Sequence, residues 1–258
     1  MIAVLSPAKT LDFERSPDPD RWTQPPMLDE ARELARLAGR LSPDQLGELM
    51  DINGDLATLN ARRFDSWQAE AHEQPGRSLQ AILAFRGEVY RGLDVDSLDR
   101  QALETAQRRL RILSGLYGLL RPLDLMLPYR LEMGTRLANA RGDSLYAFWG
   151  ERIAARLNHD IEAAGAGVLI NLASQEYFRA VPASVLSVPV VTPQFKDRRN
   201  GRLRSIAVYA KRQRGRMARF LVTERPQTVA DLRSYADDGY RFAPEESDDT
   251  TLTFVRSS

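Results

Sequence analysis

The sequence predicts an α+β fold, a compact mixed sheet with surrounding helices, and three observations carry that expectation. Short apolar runs such as Ile2-Ala3-Val4-Leu5 and Gly167-Val168-Leu169-Ile170-Asn171-Leu172 have the length and continuity of buried strands. Between them, apolar residues return at helical spacing, as Leu34, Leu37, Ala38 and Leu41 do. Strands and helices are mixed without a regular βαβα alternation, which places the chain outside the α/β class. The length of 258 residues, with no internal repeat, fits one domain over 1–258.

Taken in order, Ile2 to Leu5 reads as a strand and Ser6-Pro7-Ala8-Lys9-Thr10 as the turn leaving it. The proline-rich stretch from Pro17 to Pro26 reads as a surface loop. Helices follow from Leu28 to about Leu98, one opening at Ser42-Pro43, where serine caps and proline takes the first helical position. Asp99 caps a helix whose stripe is Leu103, Ala106, Leu110 and Leu113, ending at Ser114-Gly115. Tyr146 to Ala164 is a further helix with Trp149, Ile153, Leu157 and Ile161 inward. After the strand at Gly167–Leu172, the runs Val188–Phe195 and Leu203–Tyr209 form a hairpin about Asn200-Gly201. A basic helix spans about Ala210–Val222, a short helix opens at Thr228, and the tail closes through Tyr240–Phe242 and Leu252–Val255.

The hydrophobic fraction is 43% and the charged fraction 28%, as in ordinary globular proteins. The first residues have no basic n-region and too few apolar residues for a signal peptide. No run reaches the roughly 20 residues of a membrane span, so a soluble, cytoplasmic protein is expected. Cysteine is absent and the histidines are only His72 and His159, both read as surface residues. Thiolate chemistry is thereby excluded, and neither a metal site nor a cofactor is expected. The net charge of +1 hides an uneven distribution, because Pro193–Arg225 holds eleven basic residues against Asp197 and Glu224.

Two segments point to polyanion binding. In Arg111-Ile112-Leu113-Ser114-Gly115-Leu116-Tyr117-Gly118-Leu119-Leu120-Arg121-Pro122, a glycine turn between two expected helices would present free amides to a phosphate. A glycine-capped helix end accounts for the same pattern without any ligand. In Lys211-Arg212-Gln213-Arg214-Gly215-Arg216-Met217-Ala218-Arg219, the residues Lys211, Arg212, Gly215, Arg216 and Arg219 share one helical face. The interior glycine costs about 1 kcal/mol relative to alanine, which suits close approach of a ligand or another backbone.

Other segments suggest a pocket. Lys9 follows a probable central strand, where open sheets bind ligands, but the glycines of a nucleotide-triphosphate loop are missing. Ser174, Glu176 and Tyr177 follow a second such strand, with Ser174 also a good helix cap. Arg130 and Glu132 stand two apart on an extended segment. If Lys9, Glu132, Ser174, Glu176 and Tyr177 converge, acid–base catalysis on a nucleobase, nucleotide or nucleic acid becomes available.

As a set, Ser6–Thr10, Leu113–Asp124, Pro128–Gly134, Asn171–Ser174 and Lys211–Gly215 resemble the YaaA peroxide-stress family over nearly the whole chain. The resemblance implies a cytosolic protein that limits unincorporated iron and iron-driven damage to DNA. It also implies a positively charged cleft and a helix-hairpin-helix-like element that binds DNA, and it brings no established reaction; contact through backbone phosphates would make that binding largely independent of sequence. By position, Ser114, Gly115, Tyr117 and Gly118 would be the hairpin. Lys9, Arg130, Lys196, Lys211, Arg212 and Arg214 would be candidates for the cleft, and Arg121, Gly215, Arg216 and Arg219 join the DNA contacts on charge and position. Whether the protein is an enzyme stays open at this point.

Overall fold

A computed structural model describes residues 1–18, 20–73 and 76–257. Four wholly buried residues make β1 (Ile2–Leu5), and the short β2 (Thr10–Leu11) follows its turn. Helix α1 (Leu28–Ala38) buries Ala31, Leu34, Ala35 and Ala38 along one stripe. At α2 (Pro43–Met50), Ser42 caps the Gln45 amide while the Gln45 side chain answers to the Ser42 amide, with Pro43 at the first position. Asp51 turns left-handed and Asn53 caps α3 (Gly54–Asp65), so α2 and α3 form a tight helical pair. Short pieces follow: β3 (Leu79–Gln80), α4 (Ala81–Ala84), β4 (Phe85–Arg86) and α5 (Glu88–Leu93).

Asp99 caps α6 (Arg100–Arg109) as expected, but that helix stops where β5 (Leu110–Ser114) begins. The apolar repeat that suggests a longer helix is a coincidence of spacing. Every residue of β5 is buried, as a strand flanked on both edges and covered on both faces requires. The turn returns directly into β6 (Gly118–Leu120), with Ser114 opposite Gly118, and β7 (Leu125–Met126) follows. The glycine segment is therefore a β-hairpin and not a helix-hairpin-helix element.

The helix expected from Tyr146 to Ala164 is broken into α7 (Leu145–Trp149) and α8 (Arg152–Ala163) at Gly150, whose φ is +50°. Trp149, Ile153, Leu157 and Ile161 all face inward. Next come β8 (Leu169–Leu172), the single turn α9 (Gln175–Phe178) capped by Ser174, β9 (Val190–Arg199) and β10 (Arg202–Arg204). The hairpin about Asn200-Gly201 is present, while the second strand expected to reach Tyr209 yields at Ala207 to α10 (Ala207–Thr223). Strands β11 (Ala236–Asp237), β12 (Tyr240–Phe242) and β13 (Thr251–Ser257) complete the chain.

These elements build a mixed sheet in the order β11-β12-β13-β9-β8-β1-β5-β6, with β10 also on β9. The strands β13, β9, β8, β1 and β5 run parallel, and β12, β11, β6 and β10 pair antiparallel at the margins. From β1 the chain crosses to β5 on one side and later returns to β8 on the other. The carboxyl ends of β1 and β8 thus border a crevice at a topological switch point, where open sheets hold ligands. No helix among the described residues is long and apolar enough to cross a membrane. His72, expected at the surface, is fully buried, whereas His159 is exposed.

Candidate ligand pocket and basic track

The crevice at the ends of β1 and β8 brings together segments far apart in sequence. Its two lips are joined by Ser6, whose hydroxyl accepts from the Ser174 amide at 2.8 Å and lies 3.2 Å from the Ser174 hydroxyl. Tyr90 of α5 donates to the Ser6 carbonyl at 3.0 Å, fixing the same turn from behind. Around this junction opens a cavity of about 370 Å³, lined by Lys9, Glu132, Ser174, Glu176 and Tyr177 together with Tyr90, Lys211 and Arg214. All five residues of the sequence-based pocket therefore face one cavity.

Lys9 Nζ lies 2.8 Å from Glu132 Oε2, and the other oxygen of Glu132 accepts from Arg130 at 3.2 Å. Glu176 accepts from the Gly134 amide at 3.0 Å, which ties α9 to the segment carrying Glu132. Burial, with the nearby charges of Glu176 and Glu132, holds the Tyr177 phenol protonated far above its ordinary range. Burial does the same to Tyr90. The cavity thus offers an ammonium–carboxylate pair and hydroxyl donors on an apolar wall.

Arg214 stands between this cavity and a second of about 640 Å³ that contains Asn171, Phe178, Arg179, Lys196 and Ser205. Burial pulls its pKa down, and no carboxylate among the described residues pairs with it. Lys211, one turn earlier, is exposed and likewise has no acid partner. Beyond Lys196, the β9–β10 hairpin carries Arg199, Arg202 and Arg204, all exposed and without a carboxylate partner among the described residues. Arg202 lies opposite Arg199 and Arg204 opposite Asp197, so these three arginines share one face of the hairpin, while Lys196 on the other face joins Arg214 at the second cavity and Lys211 joins Arg214 at the first.

The remaining residues expected to contact DNA lie elsewhere. Ser114, Gly115, Tyr117 and Gly118 are buried, so their turn presents nothing to a phosphate. A Cβ on Gly115 would strike the Leu131 carbonyl and one on Gly118 the Trp149 ring, so these glycines serve packing. Arg121 is held by buried Asp124 at 2.9 Å and Arg130 by Glu132. On α10, Arg212 pairs with Glu88 at 2.7 Å, and Arg216 grips both oxygens of Asp237 at 2.7 and 2.8 Å. Arg219 donates to the Leu93 and Asp94 carbonyls and lies 3.8 Å from the Asp94 carboxylate. Gly215 is packed beneath the Val89 carbonyl of α5, the backbone-approach alternative for that glycine.

Sequence reasoning did not single out Ser6, Tyr90, Arg199, Arg202 or Arg204. The hairpin arginines stood in the counted basic stretch, and their position on a two-stranded arm was the usable signal. Tyr90 had none. Among the described residues, no group of three or more His, Asp or Glu is placed to hold a metal ion.

A family model described as peroxide stress protein YaaA matches residues 1–246. The chain belongs to this family. It is 51% identical over 257 residues to a UPF0246 protein of Idiomarina loihiensis, covering 100% of this chain and 99% of the relative. A UPF0246 protein of Laribacter hongkongensis is 51% identical over 259 residues, and one of Hahella chejuensis 48% over 256, each covering 99% of both chains. The family match therefore extends over the segments that line the cavity and carry the hairpin arginines.

Proposed function

We propose that this peroxide-stress protein binds DNA through backbone phosphates along the β9–β10 hairpin and the first turns of α10. That contact helps limit iron-driven oxidative damage, the role its family resemblance implies. The observation that carries the reading is the set of cations with no carboxylate partner among the described residues, Arg199, Arg202 and Arg204 on one face of the hairpin and Lys196, Lys211 and Arg214 about the adjoining cavities. A cation free of an internal partner can release counterions from DNA without first breaking a protein ion pair. Replacing Arg199, Arg202 and Arg204 together by alanine is expected to weaken binding to duplexes of unrelated sequence equally, at least tenfold near physiological salt. Unchanged affinity would overturn the reading.

A second reading is favoured by one specific observation, the meeting of Lys9, Glu132, Ser174, Glu176 and Tyr177 in one cavity. Here the protein is an enzyme acting on a nucleobase, nucleotide or nucleic acid, with Lys9 and Glu132 exchanging a proton with the substrate. Lys9→Ala should then abolish protection against peroxide in cells lacking the native protein, while purified Lys9→Ala still binds DNA. Full protection by that variant would remove the basis of this reading.

A further inference from the structure

We infer that the cavity at the ends of β1 and β8 binds a small molecule bearing a phosphate or carboxylate group. Arg214 and Lys211 hold its anionic end, and Lys9 with Glu132 meets its other polar end. The inference rests on the enzyme reading for its setting and supplies the ligand class; it does not require DNA binding.

Three observations carry it. Arg214 is half-buried, lines the cavity and has no carboxylate among the described residues, although its neighbours Arg212 and Arg216 both do. A guanidinium that gives up part of its hydration without gaining a counter-ion is a ready partner for an anion from outside. Lys211 lines the same cavity and is likewise without an acid partner. At the other end, Lys9 and Arg130 are matched by the carboxylates of Glu132 and Glu176, so that end carries no net charge and is suited to hydrogen bonding. Between them, Pro7, Ala8 and Val89 give an apolar wall, and about 370 Å³ lies within the roughly 300 to 1,000 Å³ of small-ligand sites.

The test is calorimetric titration of the full chain with adenosine 5′-monophosphate, adenosine, inorganic phosphate and succinate. Expected is one-to-one binding of the phosphate compounds or of succinate, which distinguishes the two anion classes, with adenosine at least tenfold weaker than its monophosphate if phosphate is the anchor. Arg214→Ala should weaken the preferred anion ten- to hundredfold, the loss of a charge-assisted contact, while its melting temperature without ligand stays equal or rises. Arg202→Ala, on the hairpin away from the cavity, should bind the small anion as the unaltered protein does. Three outcomes would overturn the proposal: no anion binding at millimolar concentration, equal binding by Arg214→Ala, or equal losses in Arg214→Ala and Arg202→Ala. Loss of DNA binding in the hairpin variants alone leaves this proposal untouched, so the two readings fail separately.

Discussion

The Tyr117 hydroxyl accepts from Trp67 Nε1 at 3.1 Å and from the Leu127 amide at 3.0 Å, so its own proton is directed to His72 Nε2, 2.9 Å away. His72 Nδ1 then carries the ring proton and donates to the Ala69 carbonyl at 2.9 Å. The imidazole is neutral, and burial pulls its pKa below 6.5 despite the opposing pull of the Gln68 and Ala69 carbonyls and of Glu70. Because the folded state resists protonation, this residue's contribution is complete above about pH 6.5 and is lost as pH falls toward the depressed folded value. Urea unfolding at pH 7.5 and 5.5 should therefore show a larger loss on acidification in the unaltered protein than in His72→Asn. Tyr117→Phe leaves two buried N–H donors without an acceptor. It should cost about 3 kcal/mol, read as a melting point lower by roughly 10 °C.

At the scale of elements, α5 and α10 touch backbone to backbone because Gly92 faces Arg212 and Gly215 faces Val89. A methyl at Gly215 would meet the Val89 carbonyl and force the helices apart. Gly215→Ala should lower stability by about 1 to 3 kcal/mol by overpacking, and a melting curve without ligand checks it. A second tie joins β5 to α8, where buried Asp160 receives Arg111, and Arg156 adds a bond at 2.7 Å. Removing the carboxylate strands the buried Arg111 charge. Asp160→Ala is thus expected to cost about 3 to 5 kcal/mol, measured by urea unfolding.

Elements also mark where sequence reading reached and where it stopped. The caps at Ser42, Asp99 and Ser174 and the turn at Asn200-Gly201 were legible because each depends on residues a few positions apart. The strand Leu110–Ser114 was not, since Leu103, Ala106, Leu110 and Leu113 fit a helical period while the neighbours that make a strand lie at β1 and β6. The fate of the α10 arginines was equally hidden. The partners of Arg212 and Arg219 come from α5 and its end, over 120 positions earlier in the chain.

For the whole molecule, the parallel centre of the sheet decides where function can sit. Lys9, Glu132 and Ser174 were readable as polar residues beside strands, but their meeting requires β8 to lie next to β1, a pairing of residues over 160 positions apart. The same arrangement sets the basic hairpin at the edge of the adjoining cavity through Lys196, Ser205 and Arg214. Net charge therefore says little about the molecule, whereas the division of cations into paired and unpaired groups says a good deal.

The most direct measurement is the slope of log affinity against log salt concentration for duplex DNA. The proposed contacts give a clearly negative slope in the unaltered protein, made shallower by about 2 to 3 in the Arg199, Arg202 and Arg204 alanine variant, close to 0.9 per lost phosphate contact. Removing the ion-paired Arg212 and Arg219 should change it far less. A slope that the hairpin variant leaves intact, or that only the α10 variant flattens, would contradict the account.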